Sequence, residues 1–204
     1  MTVLSAWLFG ETRTVAGGHP VLVTIDPGHG GIDPGAVGAE GQLEKHWNLQ
    51  IAQDLALRLR SSGLAVLMTR SGDRTLSRPY SVRQELINRA GLANRAGSWI
   101  FLSIHLNVES TGRVSGPIVY YQAGNPAAHR LASDLEAALA SVSQTRHPPR
   151  PSHLMLLMLS RMPTVIVELG FLSHPADRAR LGNTAYRAEL AAALARGILT
   201  YLRR

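Results

Sequence analysis

Cysteine is absent from this 204-residue chain, which excludes disulfides, thiolate metal sites and a cysteine nucleophile together. No stretch approaches the ~20 consecutive apolar residues needed to cross a bilayer, so no transmembrane segment is expected. Internal repeats, low-complexity tracts and long runs of one charge are missing as well. The basic residues, among them Arg58, Arg60, Arg70, Arg83, Arg89, Arg178 and Arg180, are scattered and carry no interleaved aromatics, which argues against nucleic acid as a partner. The short apolar run at Met1–Phe9 lacks a basic leader and a clear small-residue cleavage site, so it makes a poor signal peptide as it stands. Residues 1–20 are read as an N-terminal arm or the remnant of an export segment.

What is present points to a globular protein. Hydrophobic residues make up 45% and charged residues 17%, an ordinary globular balance, and the length fits one domain, residues 21–204. A formal charge of +7 and a pI near 10.7 favour an anionic partner without naming it: nucleic acid, an acidic wall polymer and a lipid surface all fit the charge. Strand and helix patterns alternate. Val21–Ile25, Leu64–Met68, Ile100–Ile104, Ile118–Tyr121 and Val165–Val167 read as short strands. Residues 43–62 (Leu43, Trp47, Ile51, Leu55, Leu59), 79–96, 126–142, 175–181 and 185–202 show helical spacing. Gly63 is placed to cap the first helix in the left-handed conformation, and Ser77 to open the second. Thr145–Ser152, with three prolines, reads as an irregular connection. The alternation predicts an α/β fold: a single domain with a mostly parallel or mixed central sheet and helices on both faces.

Three of these strands run into chemistry. The segments are VLVTIDPGHGG, WIFLSIHLN and TVIVELGF, which deliver His29, His105 and Glu168 one to four residues past an apolar core. An unpaired polar group out of water costs a few kcal/mol, so such groups need partners, and a divalent metal serves all of them at once. Glu44, in a first helical turn, is a fourth candidate. Each has a plain alternative when taken singly: a hydrogen-bonded loop histidine, a satisfied core histidine, a carboxylate on a helix dipole. Together, two histidines and a carboxylate match a three-ligand catalytic zinc site with a position left for water, and a further carboxylate beside that water suits metal-assisted hydrolysis. In open α/β sheets ligands bind beyond the carboxyl ends of strands, so the polar ends of these three strands converge if the strands are near neighbours. His46, two residues from Glu44, points away from it on a helix. His19, His129, His147, His153 and His174 read as surface residues. The Met155–Met162 cluster reads as core or groove lining.

The segments VTIDPGHGGIDPGAVG, EKHWNL, TRSGD, SIHLN and MPTVIVELGFLSHPAD resemble, in order and spacing, the zinc-dependent N-acetylmuramoyl-L-alanine amidases of amidase type 3, which cleave peptidoglycan. The likeness runs from Val21 to the C-terminus. Arg83–Asn88, the Gly116–Tyr121 strand and the region before Met162 look most similar to the germination-specific members that act on spore cortex. The resemblance implies one zinc ion held by His29, Glu44 and His105, Glu168 as catalytic glutamate, and Asp26, Asn48 and Asn107 as supporting residues around the ligands. It implies peptidoglycan as substrate and an extracytoplasmic place of action in the envelope or cortex. Thr145–Ser160 departs from the family pattern, so recognition of the stem peptide is expected to differ. A catalytically silent wall-binding module, and a zinc peptidase or deacetylase acting on another wall substrate, are the competing expectations.

Overall fold

The structure is a computed structural model that describes residues 21–203; the expected arm over residues 1–20, with His19, lies outside the described residues. Six strands and six helices follow in chain order: β1 Leu22–Pro27, α1 Glu44–Ser61, β2 Ala65–Met68, α2 Val82–Arg95, β3 Ile100–Asn107, β4 Ile118–Gln122, α3 Pro126–Ser143, β5 Arg150–Ser152, α4 Met155–Leu159, β6 Thr164–Phe171, α5 Pro175–Gly182 and α6 Thr184–Tyr201. They form one mixed sheet in the order β2-β1-β3-β6-β4-β5. The first four of these run parallel, while β4 is antiparallel to β6 and β5 parallel to β4. The expected α/β architecture is therefore present, and β1, β3 and β6 are adjacent.

Side-chain alternation along the strands sorts two layers. Val23 and Ile25 of β1, Ile100, Leu102 and Ile104 of β3, and Val165 and Val167 of β6 pack with Ile51, Leu55 and Leu59 of α1, Leu131 and Leu135 of α3, and Leu190 and Leu194 of α6. Phe101 and Ile166 face the other way, against Ala90 and Ala93 of α2 and Leu156 and Leu157 of α4. This second face carries the polar residues in alternate positions. Asp26 accepts from Ser103 Oγ at 2.7 Å, the Thr24 and Ser98 hydroxyls pair at 2.6 Å, and His105 stands in register with Glu168.

Helix boundaries follow local chemistry. α1 ends where Gly63 takes φ +81° and the Leu64 amide donates back to the Leu59 carbonyl, a left-handed cap. α2 begins later than the spacing suggested. Ser81 caps it by accepting from the Gln84 amide, while Ser77 binds the Glu85 carboxylate instead. Asn125 and Asn183 cap α3 and α6 with their side-chain oxygens.

Two expectations about element bounds are corrected. Thr145–Ser152 is not wholly irregular, because Arg150–Ser152 pairs with β4 as an edge strand, where its proline needs no ladder donor on the open side. The Met155–Met162 stretch lines core as expected: Met155–Leu159 forms the short helix α4, and Leu156, Leu157 and Met162 are buried in the smaller cluster while Met158 is exposed. β3 and β6 run on past their apolar cores to residues 107 and 171, because backbone pairing continues where side chains turn polar. Their registers slip between His105 and Asn107, where β6 carries an extra residue. Asp177 secures that bulge: its Oδ2 accepts from the Phe171 amide at 2.9 Å and from the Gly116 amide at 2.8 Å.

Candidate active site

At the carboxyl end of β1, the chain turns through Gly28 and His29 and then folds back, with Gly30 and Asp33 paired in both directions. His29 adopts φ 61°, a conformation that costs a residue with a Cβ about 1–2 kcal/mol, and surrounding bonds must hold it. The following stretch, residues 34–36, serves as the cap of α1: the Lys45 amide donates to the Pro34 carbonyl and the Glu44 amide to the Ala36 carbonyl. Leu43, the residue before the helix, supplies no side-chain cap. The glycine-rich loop thus delivers His29 and seats the first turn of α1, where Glu44 lies.

His29, Glu44 and His105 meet. Glu44 Oε1 lies 3.2 Å from His29 Nε2 and 3.1 Å from His105 Nδ1, and the three donor atoms lie within 4.8 Å of one another. Two imidazole nitrogens and one carboxylate oxygen at this spacing can hold a divalent metal. The imidazoles stand edge to face, centroids 4.9 Å apart. Their side chains are 25% and 22% exposed, so the cluster opens to solvent on one side. Gly28 makes this packing feasible: a Cβ there would lie 2.2 Å from His105 Cε1.

Each member is anchored. Glu44 Oε2 accepts from the Ala36 amide at 2.7 Å, and Oε1 accepts from the Leu106 amide at 2.9 Å and Asn48 Nδ2 at 3.0 Å. Burial alone would raise the Glu44 carboxyl, but the two imidazoles outweigh it and hold the group far below the ordinary carboxylate range. His29 Nδ1 donates to Asp33 Oδ2 at 2.8 Å. Burial would lower this imidazole, yet bonds and charge from Glu44 and Asp33 prevail and raise it to about 9.

Glu168 stands opposite His105 on the neighbouring strand. Its Oε2 is buried and has no hydrogen-bond partner among the described residues. Burial, and then the Glu44 charge, push its carboxyl up to about 7 against the pull of the two histidines. A carboxyl near neutrality can both take and return a proton. A cleft of about 80 Å³, bordered by Tyr80, Val82 and Leu86, adjoins the imidazoles.

Of the three residues expected in support, Asn48 touches a cluster member, through Glu44. Asp26 sits one layer deeper, bound to Arg89 at 2.6 Å, Thr69 and Ser103, and reaches neither imidazole by a hydrogen bond. Burial would raise Asp26, but Arg89 and the two hydroxyls bring it below the usual range. Asn107 Oδ1 accepts from the Val108 amide and shapes the strand exit. Asp33 was missed, although its place four residues after His29, inside the same glycine-rich segment, was the available signal. His46 is exposed. His129 and His153 are exposed as expected, but His147 is half-buried, its Nε2 2.8 Å from the Ser115 carbonyl, and His174 caps α5. Neither joins the cluster.

A family profile described as N-acetylmuramoyl-L-alanine amidase matches residues 23–200. The N-acetylmuramoyl-L-alanine amidase LytC of Bacillus subtilis (strain 168) is 35% identical over 91% of this chain, and the match covers 37% of LytC. The germination-specific N-acetylmuramoyl-L-alanine amidase of the same organism is 32% identical over 88% of this chain and 79% of its own length. Among solved structures, the CwlD amidase from Clostridioides difficile, in complex with the GerS lipoprotein, superposes with a TM-score of 0.84 at 30% identity, covering 89% of this chain and 98% of that one.

Proposed function

Since this chain belongs to the N-acetylmuramoyl-L-alanine amidase family, we propose that its His29–Glu44–His105 cluster holds one zinc ion and that Glu168 moves the proton during amide hydrolysis. The enzyme cleaves the amide joining N-acetylmuramic acid to the L-alanine of the peptidoglycan stem peptide. Residues 21–204 form the catalytic domain.

The donor chemistry supports zinc over magnesium or calcium, which prefer oxygen shells. Zinc supplies Lewis acidity at the scissile carbonyl and draws the pKa of a neighbouring water toward ~7. The chain's own residues do the rest. Asp33 holds His29 Nδ1, which leaves Nε2 as the inward-facing nitrogen. Asn48 and the Leu106 amide turn Glu44 Oε1 toward both imidazoles. Glu168 accepts a proton from the attacking water and delivers it to the departing amine. Glu168 has its carboxyl raised to about 7 by burial; a cation held by the cluster would favour its ionised form. The single observation that carries this role is the buried, unpartnered Glu168 oxygen beside His105.

The substrate lies outside the cytoplasm, so the enzyme acts in the cell envelope or cortex. Its net charge of +7 favours retention near anionic wall polymers. Among the described residues no helix is long and apolar enough to cross a membrane. Purified enzyme with zinc is expected to release peptides with free L-alanine amino termini from peptidoglycan and leave muramic acid intact. Glu168→Gln should keep zinc and lose at least ~100-fold in turnover; near-normal activity of that variant, fully loaded, rules out the role. Parallel digestion of cortex and vegetative peptidoglycan assigns the wall type.

A further inference from the structure

We infer that the segment Thr69–Asp73 after β2, together with Arg89 of α2, is a positioning frame that sets the spacing of His29 and Glu44. The inference rests on the metal reading above and concerns residues that supply none of the cluster's donor atoms.

His29 arrives on a loop and Glu44 on a helix start, so two separate pieces of backbone must be held at one distance. Arg70 does this directly. It is fully buried, its Nε donates to the Pro27 carbonyl at 2.9 Å, and its NH2 donates both to the Gly28 carbonyl at 2.9 Å and to the Lys45 carbonyl at 2.8 Å. One guanidinium therefore joins the residue before His29 to the residue after Glu44. Asp73 makes a second link between the same pieces: Oδ1 accepts from the Gly31 amide at 2.7 Å and Oδ2 from Lys45 Nζ at 2.8 Å. Lys45 Nζ also donates to the Gly31 carbonyl at 2.7 Å.

Arg89 closes the frame from the opposite side. Its NH1 donates to the Pro27 carbonyl at 3.0 Å and its NH2 to the His29 carbonyl at 2.8 Å, while Asp26 and Glu85 balance its charge. Three consecutive carbonyls, at residues 27, 28 and 29, thus point at two buried guanidiniums. A planar, forked donor suits this task and an ammonium does not. That explains why a short segment at the sheet margin, TRSGD, recurs in the resemblance although none of its side chains reaches the cluster.

Zinc affinity by chelator competition tests the frame. The wild-type chain is expected to bind one zinc and His105→Ala to lose it. Arg70→Lys, Arg89→Lys and Asp73→Ala should each weaken zinc about 10- to 100-fold, the usual effect of groups that orient metal ligands, and should alter the visible bands of the cobalt-loaded protein. Asp73→Asn, which keeps an acceptor for the Gly31 amide, should recover part of the loss. Arg146→Ala, which breaks an exposed ion pair with Glu136, should leave affinity unchanged. If an arginine variant fails to fold by thermal melting, Asp73 carries the test, because its side chain is 43% exposed. Wild-type zinc binding with unchanged affinity in Asp73→Ala and the folded arginine variants overturns the frame alone. No zinc on the wild-type chain overturns the metal reading, and the frame with it.

Discussion

Glu168 shows how one side chain sets function against stability. Its carboxyl is raised to about 7 in the folded metal-free chain, against about 4.3 in an unfolded peptide. The folded state therefore binds more protons than the unfolded state between those values, and stability falls as pH rises through that window. Above pH 7 the buried charge costs up to about 4 kcal/mol, at roughly 1.36 kcal/mol per pKa unit. Glu168→Gln removes the penalty. The metal-free variant should melt higher than the wild type at pH 8 and about equally at pH 4. Equal melting at pH 8, followed by circular dichroism without metal, would contradict the burial argument.

At the scale of elements, the site depends on backbone approach as much as on donors. β1 passes so close to β3 that the His105 ring lies over Gly28, whose amide donates to the Ile104 carbonyl at 2.9 Å. Gly28→Ala places a methyl inside that ring and must push His105 off Glu44. Because ångström-scale misplacement at a reacting site costs about 100-fold, this variant should lose that much activity and bind zinc at least ~10-fold more weakly while retaining its helical content. Wild-type zinc affinity in Gly28→Ala would show that the loop yields instead. The bulge in β6 acts at the same scale, since it lets Glu168 stay paired with His105 while Phe171 realigns with Asn107.

For the molecule as a whole, the two faces of the sheet divide the labour. The larger apolar layer lies under α1, α3 and α6, whereas the polar column and the second, smaller cluster lie under α2 and α4. Damage to the larger layer away from α1 should cost stability without touching chemistry. Leu135→Ala in α3, at a fully buried position, should destabilise by about 2–5 kcal/mol and lower the melting temperature, yet leave kcat of the folded, zinc-loaded enzyme within twofold. A kcat loss matching that of Gly28→Ala would mean that the two faces are coupled.

Much of this was legible in the chain. Periodicity located β1, β3, β6 and the long helices, because strands buried on both faces and amphipathic helices leave local patterns that depend only on neighbours in sequence. His29, His105 and Glu168 stood out because each sits where an apolar run breaks off into a group that needs a partner, whereas Glu44, in a first helical turn, gained weight only beside them. Arg70 and Arg89 did not, since a guanidinium bound to carbonyls 25 to 62 residues away leaves no local trace; Asp33, four residues from His29, was legible and was passed over. Whether three strands lie side by side, and whether His105 meets Glu168 in register, is decided by long-range pairing alone. The amino-acid order determined which groups required company; tertiary packing chose the company, because burial and distance are properties of the folded chain.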